Sequence, residues 1–200
     1  MDTPPNLSSL SNAQLLKSRP LSDRFIECGC QDFHDACHWL HQLPYGKNSR
    51  SGDIEVLFED QCGTCTTKHG VAAALAHELS LPIFKYIVFY RLDESIRRGA
   101  RETLSSYNLE YVPTTHCLLG DSGQFVDLTW DNQTGKRKNL TEFEIYIKSE
   151  AVHTPAEHDK LKLWGYEAFQ RIDPKLARFE PSQINEIAAR TIENSQSCNC

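Results

Sequence analysis

One stretch near the middle of the chain constrains the fold most, because it has the pattern of a helix followed directly by a buried strand. Residues 65–79 repeat apolar side chains at spacings of one, three and four: Val71, Ala72, Leu75 and Leu79. Pro82 ends this helix, since proline cannot continue it. Residues 84–92 (FKYIVFYRL) are β-branched and aromatic, which is typical of a buried strand.

The remaining elements are predicted on both sides of this stretch. Helices are expected over residues 32–43, 96–107, 154–170 and 181–193, strands over 114–119, 124–129 and about 143–147, and either a strand or a helical turn over 53–58. This order, helices then a strand meander then helices, predicts an α+β fold. We expect an N-terminal arm over 1–22 with a short helix near 13–17, one domain over 23–194, and a flexible thiol-bearing tail over 195–200.

Composition and charge exclude several classes of protein. The chain has 21 Lys and Arg against 27 Asp and Glu, a net charge of −6, so neither a nucleic-acid nor an anionic-membrane partner is expected. No apolar run approaches the roughly 18 residues of a membrane span, and the first residues lack the pattern of a secretory signal. We therefore expect a cytoplasmic protein whose eight cysteines are reduced thiols, catalytic groups or metal ligands.

A hairpin in the strand meander predicts a histidine–carboxylate pair. If the strands close on a turn over residues 120–123, Leu119 pairs with Gln124 and His116 lies directly opposite Asp127, with Cβ atoms about 4.5–5.5 Å apart. The carboxylate would then fix the tautomer of the imidazole and favour its charged form. Considered alone, such a pair is more often a surface ion pair.

Cys65 adds a nucleophile to this pair. It begins the helix predicted over 65–79, and the positive end of a helix dipole favours a thiolate. A thiolate beside an oriented imidazole is a nucleophile–base set for acyl transfer. His69, four residues on, can reach the same site, but His116 is the preferred base because it alone has a predicted orienting carboxylate.

These residues resemble the core of the transglutaminase-like superfamily, within the wider group of papain-like cysteine enzymes. The resemblance covers residues 53–131: Gly63-Thr64-Cys65 opens an alanine-rich helix, Leu81-Pro82 ends it, and His116 precedes the phrase Val126-Asp127-Leu128-Thr129-Trp130. The implied fold packs the cysteine-bearing helix on an antiparallel sheet. The implied triad is Cys65 as nucleophile, His116 as general base and acid, and Asp127 as the residue that orients His116.

The resemblance also implies the chemistry, with no cofactor and no metal. Cys65 would attack a carboxamide or peptide carbonyl of a peptide, protein or small amide, and water or an amine would resolve the thioacyl intermediate. The outcome is an amidase, a protease or a cross-linking transglutaminase. The backbone N–H of Cys65 is one candidate oxyanion donor, and Gln61 or Asn48 is the candidate for the second. The sequence departs from the family at Ser80, where glycine is usual.

Three alternatives remain open at this stage. Cys62-Gly63-Thr64-Cys65 is a C-x-x-C motif, which favours a thioredoxin-like thiol–disulfide oxidoreductase if a strand precedes it. A zinc site has candidate ligands in Cys28 and Cys30, which could join Cys62 and Cys65. A histidine series on one helix face, with Cys37 nearby, offers further candidates: His34, His38 and His41. A non-catalytic transglutaminase-like binding module is the third alternative.

Overall fold

A computed structural model describes residues 5–129, 142–151 and 155–197. Within those ranges the chain forms seven α-helices, one 3-10 helix and four β-strands. In chain order the elements are α1 (Pro20–Glu27), α2 (Phe33–Gln42), α3 (Val56–Asp60), α4 (Cys65–Glu78), β1 (Phe84–Leu92), α5 (Ala100–Ser106), β2 (Val112–Asp121), β3 (Gln124–Val126), β4 (Ile145–Ser149), α6 (Pro155–Ile172), the 3-10 helix (Pro174–Leu176) and α7 (Pro181–Ser197).

The four strands form one antiparallel sheet in the order β3-β2-β1-β4, so the predicted α+β class is confirmed. Helix α4 packs against α1 and α2. Val71 and Leu75 of α4 belong to the same buried cluster as Leu119 and Val126 of the hairpin.

The chain divides into two compact units. The first takes in Met1–Ile87, Cys117–Asn132 and Ile147–Thr154 and contains α1 to α4; the second takes in Val88–His116, Gln133–Tyr146 and Pro155–Cys200 and contains α5 to α7. In the second unit α7 packs against both α5 and α6. Gly165 of α6 lies under the Phe89 ring, where an added Cβ would lie 1.9 Å from the ring, so only glycine fits there.

The N-terminal residues that are described pack onto the first unit. Leu7 and Leu10 are buried. The helix predicted near residues 13–17 is wrong, because Gln14 forms a β-bridge with Asp32 and the Leu15 amide donates to the Gln31 carbonyl (3.0 Å). The segment is extended because its backbone groups find partners in the residues that lead into α2.

Most element predictions are confirmed, one segment left open between strand and helix is resolved, and one helix begins late for a physical reason. Strand β1 has the bounds predicted for it, and α4 ends one residue early. Residues 53–58, for which the sequence allowed either a strand or a helical turn, form the start of α3 and the residues just before it. Helix α5 begins later than predicted because Asp93 Oδ1 accepts hydrogen bonds from the amides of Ser95 (2.8 Å) and Ile96 (3.1 Å), which forms a turn first.

The hairpin register differs from the sequence prediction. Leu119 pairs with Val126, and Asp121 pairs with Gln124, so the turn consists of Ser122 and Gly123 alone. Both have positive φ (49° and 85°), as two-residue hairpin turns require. The predicted pairing of Leu119 with Gln124 is therefore wrong.

The glycine at position 120 explains the error. Gly120 belongs to β2, and its missing side chain leaves room for two rings: an added Cβ would lie 2.6 Å from Tyr86 and 2.8 Å from Phe125. If the register is extended by one pair beyond Leu119 and Val126, Leu118 lies opposite Asp127. His116 is therefore not directly opposite that carboxylate. The correction is a shift of two residues, which preserves the face assignments.

Candidate active site

Cys65 is the first residue of α4, as predicted. Thr64 is the N-cap, with extended backbone (φ −78°, ψ 175°), and its hydroxyl accepts from the Thr67 amide (3.4 Å). The Cys65 side chain is partly exposed. Its sulfur therefore lies at the positive end of a 14-residue helix, where a thiolate is favoured and solvent has access.

Tyr45 lies beside this sulfur, and nothing in the sequence pointed to it beyond the turn composition of Pro44-Tyr45-Gly46. Its hydroxyl donates to Cys65 Sγ at 3.9 Å. Two backbone bonds hold the tyrosine in place: the Gly63 amide donates to the Pro44 carbonyl (3.1 Å), and the Gly46 amide donates to the Gly63 carbonyl (3.4 Å). Burial raises the pKa of Tyr45, and the charge of Cys65 raises it further, so the hydroxyl keeps its hydrogen and acts as a donor.

A second thiol, that of Cys117 on β2, also reaches Cys65. The two side chains share a hydrogen bond, and the Thr66 hydroxyl lies 3.7 Å from Cys117 Sγ. The hydrogen bond to Cys65 raises the pKa of Cys117 well above its ordinary value, and burial adds to this effect. Cys117, which is 1% exposed, is therefore the protonated donor of the pair. The sequence predicted it as core, which describes its burial but not its contact.

Two lysines are buried in this part of the chain, and one of them, Lys85, interacts with both thiols. Burial lowers the pKa of Lys85, while the nearby charges of Cys117 and Cys65 act to raise it; its ammonium donates to the Ala151 carbonyl (2.7 Å). Burial lowers the pKa of Lys68 to about 8, against an opposing effect of Asp127. Because Lys85 interacts electrostatically with both sulfurs, it favours their ionised forms.

His69 lies at the same end of α4 but is bonded to the backbone on both sides. Its Nδ1 is 2.7 Å from the Cys65 carbonyl oxygen, and its Nε2 accepts from the Leu128 amide at 2.9 Å. A carbonyl only accepts and an amide N–H only donates, so His69 has its hydrogen on Nδ1 and is neutral. It positions the chain around Asp127 and does not present a free nitrogen to the sulfur.

Asp127 follows β3 and begins a turn. Its Oδ1 accepts from the amide of Thr129 (2.7 Å) and from the hydroxyl of the same residue (2.8 Å). The same oxygen is 3.8 Å from His69 Nε2. Asp127 and Cys65 thus lie in the first unit, on either side of His69.

His116 lies on β2 and is 2% exposed, and it belongs to the second unit. Its predicted hydrogen bond to Asp127 and its predicted approach to Cys65 within about 4 Å stay predictions. Neighbouring residues of a strand point to opposite faces of the sheet, so the contact of Cys117 with Cys65 places His116 on the face of β2 that points away from Cys65.

The predicted oxyanion donors have other partners. Asn48 Nδ2 donates to the Cys62 carbonyl (2.8 Å) and to Asp60 (3.3 Å), which engages both hydrogens of its amide group. Gln61 Nε2 donates to the Phe58 carbonyl (2.6 Å). Asn48 therefore holds the loop that carries Tyr45, and the Tyr45 hydroxyl is the better-placed side-chain donor beside Cys65.

The alternative sites find little support in the described ranges. There, no group of three or more His, Cys, Asp and Glu side chains is arranged to hold a metal ion. Cys198 and Cys200 lie outside the described residues. The strand that would favour a thioredoxin-like C-x-x-C is replaced by α3, and the Cys62 thiol donates to the Lys47 carbonyl at 3.9 Å.

The comparisons with known proteins give no family assignment. No family model matches the chain, and no curated protein or solved structure matches it. Among the helices that the structure describes, none is long and apolar enough to cross a membrane.

Proposed function

We propose that this protein is a cysteine-nucleophile acyl-transfer enzyme of transglutaminase-like type, with Cys65 as the nucleophile. The observation that supports the proposal most is the convergence of two hydrogen-bond donors, the Tyr45 hydroxyl and the Cys117 thiol, on one sulfur at a helix N-terminus. Donors that converge on a sulfur stabilise its anion, and the anion is the nucleophilic form.

The remaining members of the proposed triad are His116 and Asp127. In this proposal His116 takes the proton of the Cys65 thiol and later gives it to the leaving amine, while Asp127 orients the imidazole and stabilises its charged form. The proposal requires the His116 ring to reach the sulfur past a strand whose other face carries Cys117. The fixed tautomer of His69 supports the choice of His116, because both ring nitrogens of His69 are bonded to backbone groups.

The proposed reaction proceeds in two halves. The Cys65 thiolate attacks a carboxamide or peptide carbonyl carbon, and the oxyanion that forms is stabilised by the Cys65 backbone N–H and the Tyr45 hydroxyl. Protonation by His116 releases ammonia or an amine and leaves a thioacyl enzyme. Water or a second amine then attacks this thioester, with His116 as the base, and frees the thiol.

The test uses a glutamine-bearing peptide with a fluorescent primary amine. Wild-type protein should release ammonia and either hydrolyse the side-chain amide or incorporate the amine. Cys65→Ala should abolish both, whereas Cys62→Ala, its matched control three residues earlier in the C-x-x-C motif, should retain them. A parallel panel of short peptides, followed by mass spectrometry, detects backbone cleavage.

Limited iodoacetamide labelling at neutral pH decides the matter independently of the substrate. Cys65 should be alkylated faster than every other thiol, Cys62 included. If Cys65 reacts no faster than Cys62 and no substrate turns over, the acyl-transfer proposal is wrong, and the chain is then best treated as a binding module.

A further inference from the structure

Cys65 has two possible sulfur neighbours, and they differ in what they contact. Cys62 is three residues away in the C-x-x-C motif, but its thiol donates to the Lys47 carbonyl. Cys117 lies on a different element, and its sulfur is 3.7 Å from the hydroxyl of Thr66, the residue that follows Cys65 in α4; its thiol is also hydrogen-bonded to Cys65. The structural partner of Cys65 is therefore the residue distant in sequence.

We propose that Cys65 and Cys117 form a reversible disulfide when Cys65 is oxidised by a peroxide, so that Cys117 acts as the resolving cysteine. The inference requires an accessible, ionisable thiol at Cys65, and it does not require acyl transfer. Its failure and the failure of the proposed function are thus separate results.

The difference in exposure between Cys65 and Cys117 decides which thiol is oxidised first and which one resolves the product. Cys65 is partly exposed and meets a dissolved oxidant first. Cys117 is 1% exposed, so solvent oxidants do not reach it directly. Susceptibility to oxidation follows thiolate character and access, and both select Cys65 as the primary site.

The chemistry balances with a peroxide, ROOH, as the oxidant. The Cys65 thiolate attacks one peroxide oxygen: an S–O bond forms, the O–O bond breaks, and the alkoxide leaves as ROH after it takes a proton. The Cys65 sulfur is now a sulfenic acid. The Cys117 sulfur then attacks it, an S–S bond forms, the S–O bond breaks, and the hydroxyl leaves as water with the Cys117 proton.

The first step prepares the second. In the reduced pair, the hydrogen bond and the charge of Cys65 both raise the pKa of Cys117. Oxidation to a neutral sulfenic acid removes that charge, while the Lys85 ammonium and the Thr66 hydroxyl, which lower the pKa of Cys117, remain. Cys117 therefore ionises more readily once Cys65 has been oxidised, which is when a thiolate is needed.

The experiment is peptide mapping of peroxide-treated, alkylated protein without reduction. Wild-type protein and Cys62→Ser should both yield a Cys65–Cys117 linked peptide, and dithiothreitol should restore Cys65 labelling to the untreated level. In Cys117→Ser, Cys65 should accumulate as sulfenic acid, trapped by dimedone, and then as sulfinic acid that dithiothreitol does not reverse.

The wild-type map decides the question even if Cys117→Ser folds poorly. A Cys62–Cys65 link in its place, or sulfinic acid at Cys65 of the wild type with no linked peptide, would overturn the proposal. Far-UV circular dichroism of Cys117→Ser shows whether its oxidation result refers to folded protein.

Discussion

His69 Nε2 lies 3.8 Å from Asp127 Oδ1, beyond hydrogen-bond distance, because that nitrogen accepts from the Leu128 amide. The sequence argument preferred His116 as the base on the ground that His69 had no nearby carboxylate. The structure places Asp127, the carboxylate predicted for His116, near His69, yet both ring nitrogens of His69 are bonded to backbone groups. The choice between the two histidines therefore depends on tautomer and bonding, not on the distance to an acid.

We expect substitution of His69 to affect mainly stability and substitution of His116 to affect mainly the reactivity of Cys65. His69→Ala leaves the Leu128 amide buried without its acceptor and opens a cavity, so we expect a loss of about 3 kcal/mol in unfolding free energy. Urea denaturation measures it. The pH profile of Cys65 alkylation should keep its shape in those His69→Ala molecules that remain folded.

His116→Ala, unlike His69→Ala, should change the pH dependence of Cys65 alkylation. If His116 is the base, its removal should change the pH profile of Cys65 alkylation, with the profile measured under conditions where the variant is folded. A profile altered by His69→Ala but not by His116→Ala would assign the base to His69 and refute the proposed triad.

Asp127→Asn should retain the fold and lose most activity. Asn keeps an acceptor for the Thr129 amide and hydroxyl, which fix the turn, but it removes the charge that would hold the His116 imidazolium. In serine enzymes this change costs roughly 10⁴-fold. A thiol ionises more readily than a hydroxyl, so we expect a smaller loss here.

The matched control for Asp127→Asn is Thr129→Val, which weakens the turn without changing its charge. It should lower the melting temperature and leave the alkylation rate close to wild type. An alkylation rate and pH profile unchanged in Asp127→Asn would show that the carboxylate does not act on the thiol.

Glu78 connects the end of α4 to the start of α1. Its carboxylate accepts from the amides of Leu21 (3.0 Å) and Ser22 (2.8 Å) and from the Ser22 hydroxyl (2.6 Å). Helix α1 has no side-chain cap from its own N-cap residue, Arg19, so Glu78 satisfies its free amides. We expect Glu78→Ala to cost about 2 kcal/mol in unfolding free energy.

Glu27→Ala is the control for this prediction, since the Glu27 side chain is 65% exposed in its ion pair with Arg24. Exposed pairs contribute about 0–1 kcal/mol. Urea denaturation of both variants separates the two values, and equal, small losses would mean that α1 does not depend on Glu78.

The secondary structure followed largely from the sequence, because it depends on local pattern. The β-branched and aromatic run gave β1, and the apolar stripe with Pro82 gave α4. The hairpin register did not follow, since a Gly-Asp-Ser-Gly run looks like a four-residue turn. Gly120 is in β2 because the rings of Tyr86 and Phe125 pack against it, a contact between distant residues that composition does not reveal.

The site was predictable only in part, for a similar reason. Cys65 follows from its place at the start of a patterned helix. Tyr45 and Cys117 reach the same sulfur from a loop and from a strand, and no spacing in the sequence relates them to it. The buried lysines were missed because sequence reasoning assigns lysine to the surface.

Lys68 makes the stability of the protein depend on pH. Burial lowers the pKa of Lys68 to about 8, below its ordinary value of 10.5. Between these values the unfolded chain binds more protons than the folded chain, so the contribution of Lys68 to stability rises with pH from about 8 to 10.5 and is flat below 8. The total rise is at most about 3 kcal/mol.

Lys68→Met should remove this rise. Urea unfolding of both proteins at several pH values across the window gives the difference, which cancels the titration of the other groups. Asp127, whose charge acts to raise the pKa of Lys68, provides a second check: Asp127→Asn should extend the rise to lower pH. Parallel stability curves for wild type and Lys68→Met would contradict the assignment.

Tyr45→Phe removes one hydroxyl beside the Cys65 sulfur and little else. Tyr45 is 37% exposed as a residue, although its hydroxyl is surrounded by protein; that hydroxyl makes one long contact, 3.9 Å to Cys65 Sγ, so its loss should change the melting temperature little. A donor to a thiolate favours the charged form, and the pH of half-maximal Cys65 alkylation should therefore move upward in the variant. If the same hydroxyl also stabilises the oxyanion, kcat for an amide should fall by roughly 10²-fold, the effect of one oxyanion donor.

Tyr86→Phe is the control for Tyr45→Phe. Tyr86 packs against Gly120 and Phe125 by its ring, so its variant should leave both the alkylation pH and kcat unchanged. An upward shift without a fall in kcat would restrict Tyr45 to the resting thiolate, and no change in either would show that its contact with Cys65 has no catalytic role.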